Sequence, residues 1–87
     1  MLTKHYCYIV KCMIDNSLYC GYTTNIDKRL FKHNSGKGAK YTRTRGPVEL
    51  VYLQEFTSKT EAMRREYDIK QLSRKEKLKL IEDNDVK

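Results

Sequence analysis

The stretch "HYCYIVKCMIDNSLYCGY", residues 5–22, decides how this chain folds. Its two ends, "YCYIV" and "SLYCGY", are rich in aromatic and β-branched residues, which suit a pleated, half-buried surface. Between them lies "MIDNS", where Asp15 and Asn16 tolerate the left-handed backbone conformation that a tight turn needs. Two strand-like runs joined by so short a connection form an antiparallel hairpin, with strands expected over 6–12 and 17–22. Tyr6, Tyr8, Tyr19 and Tyr22, four of the chain's seven tyrosines, fall in this one hairpin. Side chains alternate along a strand, so Tyr6 and Tyr8 share a face while Cys7 and Cys12 point to opposite faces.

Working outward, "TTNIDKRLFKHNSG" follows. Thr24 and Asp27 match a capping box and Gly36 closes the segment, so a helix is expected here. Ile26 and Leu30 are its apolar stripe, and Arg29 and His33, four apart, stand on one face. Residues 34–47, "NSGKGAKYTRTRGP", read as a loop because of their glycines and the Gly-Pro step. Lys37, Lys40, Arg43 and Arg45 load it with charge around Tyr41. Glycines allow close backbone approach, cations meet phosphates and an aromatic ring stacks on a base, so this loop is read as a nucleic-acid contact.

"VELVYLQEF", residues 48–56, is a third strand. "TSKTEAMRREYDIKQL" is a helix with Ser58 and Glu61 at its start and Ala62, Met63, Ile69 and Leu72 as apolar positions. Glu66 is four residues after Ala62 and three before Ile69, which turns a carboxylate toward the core side. It needs compensation there, either an arginine partner or a metal ion. The last helix, "SRKEKLKLIED", opens on a Ser73–Glu76 box and docks through Leu78 and Ile81.

The 87 residues suit one domain with a core over about 5–82. A composition of 39% hydrophobic and 33% charged residues is that of a globular chain, not a disordered one. The N-terminal apolar run is too short for a secretory signal or a membrane span, so the expectation is an intracellular, cytoplasmic protein. Three cysteines without a C-x-x-C pairing disfavour a disulfide framework or zinc ribbon, and reduced thiols packed as small hydrophobes are expected. A net charge of +7 points to an anionic partner, nucleic acid first. No segment pairs a basic face with a broad apolar one, which sets a membrane surface aside.

The residue types assembled so far suit phosphodiester chemistry. Mg²⁺ takes oxygen ligands, often one or two carboxylates plus waters. A fixed arginine meets developing phosphate charge. A water nucleophile needs a base such as Tyr or His.

The order and spacing resemble a GIY-YIG nuclease domain, in its small single-domain, UPF0213-like bacterial branch, over about residues 5–82. "YCY" matches the first motif at Tyr8, and "YCG" matches the second at Tyr19 and Gly21. Arg29 matches the arginine of the first helix, His33 a position that is His or Tyr in relatives, and Glu66 in "EAMRRE" the metal-binding glutamate. "HNSGKGAKYTR" is similar to the signature of the small branch. The resemblance implies an α+β fold, a three-stranded antiparallel sheet flanked by helices. It implies a divalent-metal-dependent endonuclease with Mg²⁺ or Mn²⁺ on Glu66, Arg29 on the phosphate, and Tyr8, Tyr19 and His33 handling the proton. Three positions depart from the pattern. Tyr6 stands at the glycine of the first motif, Tyr22 stands where some relatives carry a lysine, and Asn84 lies beyond the asparagine many relatives have. A domain this small keeps little surface for reading bases, so DNA selected by structure (flaps, junctions, nicks) is the expected substrate, in repair or recombination. A homodimer or a partner subunit would supply further recognition. The competing readings are a catalytically weak nucleic-acid-binding module that keeps the fold, and a scaffold whose basic loop binds a protein.

Overall fold

The hairpin forms as read. In the computed structural model, which describes residues 3–35 and 47–84, strand β1 (His5–Cys12) pairs antiparallel with β2 (Leu18–Thr23). Asn16 takes the left-handed conformation at φ 61°. Asp15 Oδ1 accepts from the Ser17 amide at 3.0 Å and from its hydroxyl at 2.6 Å, which closes the turn locally. Helix α1 (Ile26–Asn34) follows, then strand β3 (Val48–Phe56) and helices α2 (Lys59–Lys70) and α3 (Arg74–Asp83).

The sheet order is β2-β1-β3, with β3 antiparallel to β1. Ile9 faces Tyr52 and Val10 faces Leu50, so Val51 is an extra residue that bulges β3. As the middle strand, β1 is buried on both faces, and its alternation divides the core in two. Cys7 and Ile9 join Cys20, Tyr52 and Ile69 on one face, under α2 and α3. Tyr8, Val10 and Cys12 join Val48 on the other, with Ile26 and Leu30 of α1 packed against them. All three cysteines are buried free thiols.

Helix starts follow side-chain oxygens. Asn25, not Thr24, caps α1, its Oδ1 accepting from the Lys28 amide at 3.0 Å. Thr23 Oγ1 accepts from the Asn25 amide and thereby folds the chain into that cap. Ser73 and Glu76 form the expected reciprocal capping box on α3. Two residues expected to pack inward are exposed instead. Ala62 and Ile69 of α2 are buried, but Met63 is exposed. On α3, Leu80 and Ile81 pack on the core while Leu78 faces out. At the far end of α1, Asn34 Oδ1 accepts from the Val48 amide at 2.6 Å, which ties the helix end to the start of β3. Among the described residues no helix is long and apolar enough to cross a membrane. Gly36, Lys37, Lys40, Tyr41, Arg43 and Arg45, read as the helix end and a nucleic-acid loop, lie outside the described residues.

Candidate active site

Register puts Tyr8 opposite Gly21. A β-carbon on Gly21 would stand 2.6 Å from Tyr8 Cζ, so the phenol lies directly across the edge strand where a side chain would otherwise be. The glycine of "YCG" is therefore a matter of space: only a residue without Cβ lets the Tyr8 ring pass. Tyr8 is 1% exposed and His33, arriving from α1, is also 1% exposed. Their polar atoms meet, Tyr8 Oη lying 2.9 Å from His33 Nε2. The imidazole sits between two phenols. Its centroid is 5.9 Å from that of Tyr8 and 5.5 Å from that of Tyr19, both in edge-on geometry.

Electrostatics fix the protonation of this pair. Burial disfavours the imidazolium, and the nearby Arg29 guanidinium adds to the effect, so the His33 pKa is lowered and the ring is neutral at neutral pH. Burial likewise pushes the Tyr8 phenol well above its ordinary range. Arg29 opposes this, while Tyr19, Cys20 and Glu66 reinforce it. Tyr8 is a phenol, not a phenolate, at rest.

Glu66 comes from α2, on the other face of the sheet, and its charge still reaches Tyr8. The site thus straddles the edge strand β2, with α1 on one side and α2 on the other. Cys20 Sγ donates to the Glu66 carbonyl oxygen at 3.8 Å, fastening that turn of α2 to the edge strand. The Glu66 side chain is 19% exposed, and Oε2 lies 3.5 Å from Lys70 Nζ. Its partner is thus a lysine one turn on, not an arginine, a pairing visible in the sequence as an i,i+4 step. Tyr22 turns away from Tyr8 and His33. It shares the face of Cys20 and its hydroxyl lies 2.7 Å from His5 Nδ1. Among the described residues no three His, Cys, Asp or Glu side chains cluster to hold a metal. A single carboxylate beside open water still fits a hydrated Mg²⁺, which needs only one or two.

Comparison with known proteins matches this arrangement to one family. The GIY-YIG catalytic domain matches residues 4–79. The chain belongs to the GIY-YIG family. A UPF0213 protein of Staphylococcus haemolyticus is 66% identical over 94% of this chain and 99% of its own length. One from Oceanobacillus iheyensis is 61% identical over 91% of each. The solution NMR structure of the UPF0213 protein BH0048 from Bacillus halodurans is 57% identical, covers 91% of this chain and 83% of its own, and superposes with a TM-score of 0.59. The resemblance and the α+β fold expected from the sequence are both borne out, within a family of nucleases.

Of the residues read as catalytic, Tyr8, Tyr19 and His33 form one contact cluster, Arg29 acts on two of them electrostatically, and Glu66 flanks it from α2. The sequence reading did not single out Cys20 or Lys70. Only the Lys70 spacing carried a signal.

Proposed function

We propose that this protein is a divalent-metal-dependent endonuclease that hydrolyses DNA phosphodiester bonds, with a preference for branched or nicked substrates met in repair or recombination. The observation that carries the reading is the buried hydrogen bond between Tyr8 and His33, two neutral groups poised for proton transfer beside a guanidinium.

The chemistry follows from their protonation states. Neutral His33 accepts the Tyr8 hydroxyl proton at Nε2. When water attacks phosphorus, its proton moves to Tyr8 Oη as the Tyr8 proton moves to Nε2. A P–O bond forms and the bond to the leaving oxygen breaks; the departing alkoxide takes a proton from solvent, and His33 then returns to solvent the proton it gained. The ordinary gap between phenol and imidazole is about 3.5 pKa units, or about 5 kcal/mol. Burial widens that gap in the free protein, so the transfer waits for the substrate. A phosphate beside His33 favours the imidazolium and offsets Arg29. Arg29 neutralises the phosphate as charge builds on its oxygens. Tyr19, edge-on to His33, holds the imidazole plane. Glu66 would hold Mg²⁺ or Mn²⁺, and the ion would supply positive charge against the charge that builds as the bond breaks.

The Glu66–Lys70 ion pair favours a second reading, in which the carboxylate is structural and the domain is a weak or inactive nucleic-acid binder. Cleavage of labelled flaps, junctions, nicked and plain duplexes with Mg²⁺ or Mn²⁺, beside Tyr8→Phe and Glu66→Ala, separates the two. The nuclease reading expects metal-dependent cutting that both variants abolish. Binding without cutting, or cutting at an unchanged rate by Glu66→Ala, overturns it.

A further inference from the structure

Next to the proposed catalytic cluster, at the junction of β2 and α1, is a cleft of about 170 Å³ lined by Thr23, Thr24, Asn25, Lys28, Arg29 and Lys32. Water occupies about 30 Å³ per molecule in the liquid, so the cleft has room for a tetrahedral oxyanion and some of its solvent. Its lining carries three cations and, among the described residues, no carboxylate. Lys28 and Lys32 are one helical turn apart and share a face, which adjoins the face of Arg29 and His33. Both lysines are exposed. The wall beneath them is fixed, because Thr23 is 7% exposed and its hydroxyl is locked to both the amide and the carbonyl of Asn25.

Resting on the nuclease reading, we infer that this cleft is a subsite for the phosphate adjacent to the scissile one on the same strand. Arg29 lines the cleft and also acts on Tyr8 and His33, so it stands between the two phosphate positions. Successive phosphates of one strand are fixed by the backbone repeat. A second grip one position along therefore sets register and direction, which a single arginine does not. Lys28 and Lys32 act as positioning residues. They hold the strand so that the neighbouring phosphorus meets the Tyr8–His33 pair.

The test reads binding apart from cleavage. Affinity for a nicked duplex is measured in chelator over a salt series, for wild type, Lys28→Ala/Lys32→Ala, Lys28→Arg/Lys32→Arg, and a control pair on α3, Lys75→Ala/Lys79→Ala. One lost phosphate contact lowers the log–log salt slope by about 0.9 and weakens binding by roughly tenfold or more. The arginine pair retains both properties, and the α3 pair leaves them unchanged. With metal, the loss in the alanine pair falls in KM rather than kcat. A neutral methylphosphonate placed one position from the cleavage site, on one of its two sides, weakens wild type and adds nothing to the alanine pair. Equal slopes for wild type and the alanine pair overturn the subsite. So do a matching loss in the α3 pair, or a methylphosphonate penalty that persists in the alanine pair. A slope that differs between wild type and the alanine pair, with no cutting by wild type, leaves the phosphate grip standing and overturns the nuclease reading instead.

Discussion

Gly21→Ala is the sharpest probe of how this site is built. The new Cβ would lie 2.6 Å from Cζ and 3.0 Å from Cε1 of Tyr8, and closer still to its hydroxyl. Carbon atoms rest at about 3.5–4.0 Å, so the ring must withdraw by about 1 Å. Gly21 does not use the left-handed backbone region, so the cost is steric and not conformational. Overpacking of this kind costs about 1–3 kcal/mol. Withdrawal also stretches the 2.9 Å bond to His33, and leaving buried polar atoms underserved adds about 1–3 kcal/mol. A chain this short holds only about 4–13 kcal/mol of stability in all. A domain of this size loses about 4–8 °C in Tm per kcal/mol, so a fall of about 10 °C or more is expected in thermal denaturation. The origin is checked by repeating the substitution in a Tyr8→Phe background, where the atom struck hardest is gone. Gly21→Ala should then cost at least about 1 kcal/mol less, a coupling that only neighbours show. Cleavage should drop by about 10²-fold from the misplaced phenol. If Gly21→Ala shifted Tm by under 2 °C, or cost the same in both backgrounds (about 0.3–0.5 kcal/mol is the limit for independent sites), the claim that glycine exists here to seat Tyr8 would be wrong.

Acid should act on the same pair. His33 has a lowered pKa in the fold, so the unfolded chain binds more protons just below the ordinary value of about 6.5. Stability is complete above that value and is lost as pH falls toward the folded pKa, and His33→Gln should abolish this acid limb in urea titrations across pH. The rate should show the same limb, because only neutral imidazole accepts the Tyr8 proton, and identical pH–rate profiles for wild type and His33→Gln would remove the histidine from the chemistry. Glu66→Gln should cost at most about 0.5 kcal/mol, since it breaks only an i,i+4 pair to an exposed lysine, while lowering cleavage about 10²-fold. A variant that melts early but cuts at the wild-type rate would make Glu66 a structural residue.

Elements with strong local signals were legible in the sequence. β3 runs over Val48–Phe56, as expected from "VELVYLQEF", and α3 over Arg74–Asp83, as the Ser73–Glu76 box indicates. Where two neighbouring residues could serve equally, local rules chose the wrong one. Thr24 and Asn25 are both good caps, and the preference came from the Thr23 hydroxyl folding the chain ahead of the helix. In "KLKLI", helical period alone does not say whether Leu78 or Leu80 faces in. Packing against the sheet decided for Leu80. For the site, sequence supplied the residue types but not their encounters. Tyr8 meets His33 across 25 positions and crosses Gly21 because of hairpin register, and neither contact has a local signature. The partner of Glu66 was sought at long range among arginines, although a lysine stood one turn away.

The concentration of phenols in one hairpin follows from the same geometry. A middle strand buried on both faces needs bulky apolar side chains, and tyrosine supplies most of a phenylalanine's bulk with a hydroxyl at its far end. In β1 the ring of Tyr8 fills the α1-side core and passes over Gly21, and its hydroxyl ends on His33. Tyr19, from the edge strand, packs on the same core and meets His33 with its ring. Tyr22, on the opposite face, spends its hydroxyl on His5. Core and candidate chemistry therefore share atoms in this domain. A phenylalanine at position 8 would keep the packing yet leave His33 Nε2 without its phenol. The fold tolerates a buried histidine at that point because Tyr8 satisfies it. In a larger protein the two demands could be met by different layers; in a sheet of three strands with one doubly covered middle strand, there is no second layer to which the site could move.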